Sequence, residues 1–415
     1  MGAAERARER LVDALRGSGH VHSPAVEAAF RAVPRHLFLP GLPLRAAYAD
    51  EAVAVQHIDG VATSSASQPS MMAIMLEQLD LRPGHRVLEV GAGTGYNAAL
   101  MMHLVGTGGA VTAVDIDAEL VSRAAGNLAS AGISGVDLHC ADGALGHPDG
   151  APYDRIVLTV GSGDVRPEWI AQLAPGGRLL LPLTLRGNQV SVALDLGPDG
   201  VLRSDSVHRC GFIRLRGMGA EKEITRLLAT EGLTVLISHG APERIDPAEV
   251  RAALADPGPF RPVAVRLRSS DLWDGFGLWL ALAESGTCRV LATDPDSERA
   301  AELFPLGTGL GTIALAAPAG APGFAAVALR PGNEITDRTR QVGVRAFGAA
   351  GAGLADRVVA ELVRWAAAGR PGAGELLLQI VPRTVELTPP GSGATVVAKE
   401  HSQVLVRWSN ARSNA

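Results

Sequence analysis

The sequence has few cysteines and no pattern that would link them. Cys140, Cys210 and Cys288 are the three cysteines of the 415 residues, and they stand far apart and outside any CxxC motif. Neither a disulfide framework nor a cysteine zinc site is indicated. The histidines also show no HExxH motif, so we predict no metal site and interpret them as solvated or core residues.

The sequence also lacks an excess of positive charge and a long apolar run. Its formal net charge of -5 disfavours broad binding to the phosphates of a nucleic acid. The first residues are charged and contain no apolar signal segment, and no stretch is long and apolar enough to cross a bilayer. We therefore expect a cytoplasmic protein without nucleic-acid or membrane partners.

The length of the chain predicts more than one domain, because one domain usually has roughly 100–200 residues. We divide the chain into a helical N-terminal cap and loop at 1–55, an α/β domain at 56–219 and an accessory α+β domain at 220–415. Helices are predicted at 5–16 and 25–33. The prolines, glycines and serine cluster of residues 37–68 predict a loop.

Strands and helices alternate in the second region. The predicted strands are 86–90, 110–114, 136–140 and 155–160, followed by a hairpin at 178–182 and 189–194. The predicted helices are 70–78, 96–106 and 117–131. This alternation predicts a Rossmann-like, doubly wound and mostly parallel sheet with antiparallel strands at one edge.

The third region has a different pattern, with short strands predicted at 234–238, 262–267, 288–293, 312–316, 324–329, 375–381 and 402–408. Its clearest helix places four apolar residues on one face: Leu354, Val358, Leu362 and Trp365. Trp273, Phe276 and Trp279 recur every three residues, which fits either substrate contact or, more often, a buried helix face. We expect this region to help form a peptide-binding surface.

A glycine-rich segment, Leu88-Glu-Val-Gly-Ala-Gly-Thr-Gly95, includes the end of the first predicted strand. Gly91, Gly93 and Gly95 let the backbone turn sharply and approach a ligand at a helix N-terminus. Their spacing differs from the GxGxxG motif that binds pyrophosphate. Glu89 would repel a phosphate but attract the cationic amino group of S-adenosylmethionine. A tight turn without a ligand is the alternative.

Two more acidic residues follow the next two predicted strands. Asp115 ends the second strand, where a carboxylate can bridge ribose hydroxyls, and its alternative role is to cap the helix at 117–131. Asp142, followed by Gly143, comes after the third strand, where it can accept from an adenine amino group. Because parallel strands end at one edge of a sheet, the three acidic groups would gather there, and S-adenosylmethionine matches them better than a dinucleotide.

Six motifs occur in a fixed order over about residues 25–216. They are Ser65-Ala-Ser-Gln-Pro69, Leu88–Gly95, Ala141-Asp-Gly143, Ala151-Pro-Tyr-Asp154, Ala174–Pro182 and Gly187-Asn-Gln189. In this order they resemble the protein-L-isoaspartate O-methyltransferases. The serine segment ahead of the glycines and the Gly-Asn-Gln after the last core strand make the resemblance specific to that family.

The resemblance implies a seven-stranded methyltransferase core and a set of site residues. S-adenosylmethionine would be bound by Glu89, Gly91, Gly93, Thr94, Gly95, Asn97, Asp115, Ile116, Asp142 and Gly143. Ser67 stands at the position of the family's active-site serine. The substrate would be contacted by Ser65, Gln68, Phe212 and Arg214. A turn or a cap for the helix from Ser70 is the alternative role of Ser67.

The sequence departs from the family pattern on the substrate side. Ala66 stands where isoleucine is usual, residues 56–61 lengthen the approach to the serine segment, and residues 212–215 read Phe-Ile-Arg-Leu instead of Phe-Val-Pro-Leu. With its large C-terminal addition, the chain is similar to methyltransferases of ribosomal peptide pathways, including lanthipeptide, lasso-peptide and graspetide systems. This similarity implies methylation of an aspartate in a modified precursor peptide, leading to aspartimide or isoaspartate.

Two other functions stay open at this point. One is the general repair of isoaspartyl proteins, which activity on simple isoaspartyl peptides would support. The other is a non-catalytic scaffold that binds S-adenosylmethionine, and the complete set of Glu89, Asp115 and Asp142 argues against it.

Overall fold

The structure is a computed structural model with a ten-stranded sheet, a seven-stranded sheet and a separate hairpin. It describes residues 2–221, 226–230, 233–237, 245–268, 270–292, 311–329, 339–385 and 393–409. Residues 238 and 293, which end two of the predicted strands, lie outside the described residues.

The helices of the described residues cluster on the N-terminal half. They are α1 (Ala3–Gly17), α2 (Pro24–Ala32), α3 (Leu44–Ala47), α4 (Pro69–Leu79), α5 (Tyr96–Val105), α6 (Ala118–Ser130), α7 (Pro167–Ala171), α8 (Pro247–Leu254), α9 (Gly277–Ala283) and α10 (Gly351–Ala367). None of them is long and apolar enough to span a membrane.

The ten-stranded sheet confirms the predicted α/β fold. Its order is β18-β19-β17-β9-β8-β7-β6-β3-β4-β5, with parallel pairing from β7 to β5 and antiparallel pairing elsewhere. Its strands are β3 (Arg86–Val90), β4 (Ala110–Asp115), β5 (Val136–Cys140), β6 (Tyr153–Leu158), β7 (Leu173–Leu185), β8 (Asn188–Leu196), β9 (Leu202–Arg209), β17 (Leu376–Pro382), β18 (Ala394–Ala398) and β19 (Ser402–Trp408). Buried side chains cover the central strands on both faces, as expected for parallel strands between helices.

A hairpin occupies part of the segment that was predicted to be a loop. Strand β1 (Val53–Ile58) pairs with β2 (Val61–Ala66), and Asp59 and Gly60 form the turn with φ angles of 51° and 78°. The loop prediction is wrong here. Positive φ at both central positions suits Asp-Gly, and such a two-residue turn is a strong hairpin signal. The residues that lengthen the approach to the serine segment therefore form the tip of this hairpin.

The seven-stranded sheet belongs to the accessory region and has the order β10-β11-β13-β14-β15-β16-β12, all antiparallel. Its strands are β10 (Arg226–Thr230), β11 (Leu233–Ile237), β12 (Pro257–Leu267), β13 (Thr287–Ala292), β14 (Gly311–Ala316), β15 (Phe324–Leu329) and β16 (Arg340–Phe347). Helix α10 packs on it, with the four predicted apolar residues buried.

The last three strands return to the ten-stranded sheet. Strand β17 pairs with β9 through Gln379 opposite Arg203 and Ile380 opposite Leu202, and β19 and β18 follow. This pairing differs from the predicted division at residue 220, which assigned these strands to the accessory domain. Strand pairing between distant segments leaves no mark on local periodicity, so the sequence pattern does not reveal it.

Candidate active site

A cavity lies where strands β3 and β4 end, and we call it the central cavity. The glycine segment forms one wall, with φ angles of 100° at Gly91 and 52° at Gly93. A Cβ on Gly91 would lie 2.9 Å from Thr159 Oγ1, so a side chain there would collide with the neighbouring strand end. Gly95 starts helix α5 with a φ angle of 83° and does not line the cavity. The local backbone thus requires glycine for both turning and close approach.

Glu89 is the most deeply buried acidic residue of the central cavity. Its side chain is fully covered, Asn97 Nδ2 donates to Oε1 at 2.8 Å, and Oε2 has no hydrogen-bond partner among the described residues. Burial raises the pKa of Glu89 to about 8, together with the charge of Asp115 and against the hydrogen bond from Asn97. An unsatisfied buried oxygen is costly, and a cationic donor in the cavity would satisfy it.

Asp115 also lines the central cavity, at the end of β4. Its Oδ2 accepts from the Gly93 amide at 3.0 Å and its Oδ1 from the Asp117 amide at 3.2 Å. Burial raises its pKa, and these two hydrogen bonds oppose the shift. Asp117, not Asp115, caps helix α6 by accepting from the amides of Glu119 and Leu120. The alternative role of Asp115 as a helix cap is therefore wrong.

Asp142 lies near the central cavity but does not line it. Its Oδ1 accepts from the Ala144 amide at 2.9 Å and its Oδ2 from the Met218 amide at 2.7 Å. Both carboxylate oxygens of Asp142 thus accept from backbone amides and stabilise turns. The next residue, Gly143, does line the cavity. The structure brings Glu89 and Asp115 together as expected, and it gives Asp142 a structural task that the sequence pattern did not predict.

The serine segment forms the opposite wall. Ser65 and Ser67 line the cavity, whereas Gln68 lies in the neighbouring cleft. Helix α4 starts at Pro69 without a side-chain cap, and Asp50 Oδ1 accepts from the Ser70 amide at 2.8 Å. The cap alternative for Ser67 is wrong, because Asp50 and not Ser67 accepts from a backbone amide at the start of this helix.

The segment that contains Phe212 and Arg214 crosses the mouth of the central cavity. Gln189 of the Gly-Asn-Gln motif holds it, because Oε1 accepts from the Phe212 amide at 2.6 Å and Nε2 donates to the Phe212 carbonyl at 3.3 Å. Gly161 adds two backbone hydrogen bonds of 2.8 Å, to Ile213 and from Leu215. Phe212 and Arg214 line the cavity, together with Thr94, Asn97 and Ile116 of the predicted cofactor set.

Several wall residues were not predicted, among them Arg35, Tyr96 and Thr159. Tyr96 directly follows the glycine segment and Thr159 directly follows β6, so adjacency to a motif would have indicated both. Arg35 has no such signal. Its buried guanidinium donates to the carbonyls of Ala47 and Ser67, each at 3.0 Å, and lies 5.0 Å from the Tyr96 ring centre. This cation fixes the backbone at Ser67.

A larger opening adjoins the central cavity, and we call it the interdomain cleft. Its two parts have volumes of about 590 and 360 Å³ and share Ser65, Arg209 and Phe212. The accessory region contributes Trp273, Asp274, Leu278 and Arg289 to its wall. Seen from the cleft, the substrate-side residues of the first half therefore face side chains of the second half.

Polar contacts join the two halves across the interdomain cleft. Arg209 forms an ion pair with Asp274 at 2.6 Å, and Arg289 donates to Asn188 Oδ1 at 2.8 Å and lies 5.7 Å from the Trp273 ring centre. Of the three regularly spaced aromatics, Trp273 lines this cleft.

The other two aromatics belong to the accessory core. Phe276 is fully buried, and the partly buried Trp279 packs against the same core, with its ring centre 5.2 Å from that of Trp408, and donates to Glu361 at 2.8 Å. The buried-face interpretation therefore holds for Phe276 and Trp279, whereas the contact interpretation stays a prediction for Trp273.

This geometry can be compared with known proteins. Residues 5–219, a little more than half of the chain, match the family described as Protein-L-isoaspartate(D-aspartate) O-methyltransferase. A protein of Methanopyrus kandleri named Protein-L-isoaspartate O-methyltransferase is 40% identical over 213 residues, which are 51% of this chain and 92% of that protein. The chain belongs to the protein-L-isoaspartate(D-aspartate) O-methyltransferase family.

Membership of this family makes the protein an S-adenosylmethionine-dependent carboxyl O-methyltransferase, as expected from the motifs. A relative from Hyperthermus butylicus with the same name is 37% identical over 219 residues, 51% of this chain and 89% of that protein. A solved structure named protein-L-isoaspartate O-methyltransferase is 25% identical, covers 90% of this chain and 96% of its own, and has a TM-score of 0.49. None of these names supports a modified precursor peptide as substrate.

Proposed function

We propose that the protein methylates the free α-carboxyl of isoaspartyl residues, whose side-chain carboxyl forms the peptide bond, in damaged proteins and peptides. The observation that carries this proposal is the position of the serine segment. Ser65 and Ser67 line the central cavity together with Glu89 and Asp115, and the same two serines also line the interdomain cleft. A substrate carboxyl entering from the cleft would therefore meet these hydroxyls next to the cofactor site.

The central cavity fits S-adenosylmethionine. Glu89 would accept from its amino group with the oxygen that has no other partner, and Asp115 would accept from the ribose hydroxyls. A Cβ on Gly91 would collide with Thr159 and Val160, so bare backbone forms this part of the cavity wall. When bound, the cofactor supplies a methyl group on a positively charged sulfur.

The side chains of the protein mainly position the substrate. A carboxyl with an ordinary pKa of about 4 is ionised at neutral pH, so it needs no general base before accepting a methyl group. Ser67 orients this carboxylate by hydrogen bonding, and Arg35 fixes the Ser67 backbone through its carbonyl at 3.0 Å. Buried apolar walls, including Met72 and Leu76, exclude water and so strengthen these interactions.

The side chains that the accessory region contributes to the wall of the interdomain cleft favour a second candidate substrate. This candidate is an aspartate of a modified ribosomal peptide. Trp273, Asp274 and Arg289 would add contact area for a substrate larger than an extended peptide. The family names favour isoaspartyl repair, so we place this candidate second.

Two synthetic peptides that differ at one residue, isoaspartate or aspartate, test the proposal. With radiolabelled S-adenosylmethionine, the full-length protein is expected to esterify the isoaspartyl peptide and leave the aspartyl peptide unmodified. Methylation of an aspartate in a macrocyclic peptide, without turnover of the isoaspartyl peptide, would contradict the repair function and support the second candidate.

A variant of the accessory wall tests whether the interdomain cleft binds the substrate. Trp273→Ala is expected to raise KM for the isoaspartyl peptide while the Kd for S-adenosylmethionine stays unchanged, because Trp273 lines the cleft and not the central cavity. Val363→Ala, on the exposed face of α10, is the control. An unchanged KM in the Trp273 variant would remove the cleft from substrate binding.

A further inference from the structure

Two histidines and an aspartate meet at the free edge of the ten-stranded sheet, outside the active site. Asp137 and His139 occupy alternate positions of β5, so their side chains project from the same face. The chain then turns through residues 143–145 and returns, and His147 stacks on His139 with ring centres 4.1 Å apart. Potential ligand atoms of Asp137, His139 and His147 all lie within 4.8 Å of one another.

One polar atom of this cluster, His139 Nε2, is left without a hydrogen bond within the described part of the chain. His139 Nε2 approaches Asp137 Oδ2 at 2.8 Å, yet it is not aligned for a hydrogen bond. This nitrogen is shielded from solvent and has no hydrogen-bond partner among the described residues. An imidazole nitrogen and a carboxylate oxygen that lie this close without a hydrogen bond can both serve as ligands of one cation.

The main chain of His147 is fixed independently of its ring. Gln172 Oε1 accepts from the His147 amide at 2.8 Å, and the Tyr153 hydroxyl donates to the His147 carbonyl at 2.8 Å. These two bonds hold the loop against the sheet and place the imidazole over His139. The backbone that carries His147 is therefore fixed before any ion binds, which lowers the entropic cost of binding.

We propose that Asp137, His139 and His147 bind a divalent transition-metal ion, with zinc as the physiological occupant. Two imidazoles and one carboxylate suit zinc, and three protein ligands leave a position for water. Small side-chain rotations, above all of the exposed Asp137, would bring the ligand atoms to the distance of about 2.0–2.2 Å that zinc requires. Bound zinc ties the edge strand β5 to the loop that follows Asp142 and Gly143.

No sequence motif indicates this site. The spacing Asp-x-His followed by a histidine eight residues later matches no standard motif. Strand alternation supplies the first two ligands, and the loop between β5 and β6 supplies the third. We predicted no metal site from the histidine pattern, and the proposal replaces that prediction.

Calorimetric titration of the full-length, tag-free protein with zinc chloride at pH 7 tests the site. Wild type is expected to bind one zinc ion per chain. His139→Ala and His147→Ala are each expected to weaken binding about tenfold or more, because each removes a ligand. His103→Ala, an exposed histidine on α5, is the matched control and should bind like wild type.

Two further measurements keep the test independent of folding defects. Asp137→Asn is a near-isosteric change of a side chain that is 68% exposed, so it should fold normally and still weaken binding. Cobalt chloride should give visible absorption bands of a bound ion in wild type and not in the histidine variants. Absence of zinc binding up to about 100 μM, or equal binding by wild type and the three variants, would overturn the proposal.

Discussion

The raised pKa of Glu89 predicts how cofactor binding depends on pH. With an ordinary value of 4.5 in the unfolded chain and about 8 in the folded protein, this carboxyl is mostly protonated at pH 7. Between pH 4.5 and pH 8 the folded state therefore binds more protons than the unfolded state. The free energy of unfolding of the cofactor-free protein therefore falls as pH rises from 4.5 to 8, by up to about 3 kcal/mol at pH 7.

Burial favours the protonated form of Glu89. A cationic amino group beside Glu89 opposes this effect, because it stabilises the ionised carboxylate. The ionised fraction with a pKa of about 8 is about 1% at pH 6 and about 9% at pH 7. If S-adenosylmethionine binds to the ionised form, its affinity increases about tenfold between these pH values and about one proton is released. Glu89→Gln removes the titrating group and should abolish most of this dependence.

Isothermal titration calorimetry with S-adenosylmethionine at pH 6 and pH 7, in buffers of different ionisation enthalpy, measures both the affinity and the released proton. Glu119→Gln, an exposed change on α6, is the matched control and should behave like wild type. A Kd that is equal at the two pH values in wild type, or a pH dependence that Glu89→Gln retains, would refute the assignment of Glu89 to the amino group.

Three further variants probe the central cavity and its mouth. Asp115→Ala is expected to weaken S-adenosylmethionine binding by roughly 1.5–3 kcal/mol in calorimetry, because it removes a charged acceptor, and unchanged affinity would exclude the ribose role. Ser67→Ala should lower methyl transfer far more than cofactor affinity and leave the Tm unchanged, since Asp50 serves the adjacent helix end. Gln189→Ala should raise KM for the isoaspartyl peptide, because the Phe212 backbone loses two hydrogen bonds, and an unchanged KM would contradict this.

Local patterns predicted much of the first half of the fold. Strands β3 and β5 coincide with the predicted ranges, because short apolar or alternating runs between turn residues mark both. The glycine segment and Asp115 also met as expected, since adjacent parallel strands end at one edge. Periodicity and strand order are enough for these features.

Other features depend on contacts between distant segments. The buried Arg35 donates to the carbonyl of Ser67, more than thirty residues away in sequence. The carboxylate of Asp142 accepts from the backbone amide of Met218. The return of β17 to β9 likewise joins segments far apart in the chain. Such pairings become visible only when the tertiary structure places both partners together.

One turn links the accessory region to the mouth of the central cavity. Arg186 and Gly187 form the two-residue connection of β7 and β8, with φ angles of 46° and 80°. Arg186 donates to the carbonyls of Ala281 and Leu282 at the end of α9, at 3.0 and 2.8 Å. The arginine therefore caps the helix that places Leu278 in the wall of the interdomain cleft.

The two residues after this turn extend the link in both directions. Asn188 accepts from Arg289 of the accessory sheet, and its neighbour Gln189 holds the backbone of Phe212. Deletion after residue 220 would therefore remove partners of this turn and the strands that cover β9, so a loss of activity would report damage to the fold. Point variants of the cleft wall separate substrate recognition from folding, because they leave the turn and the sheet intact.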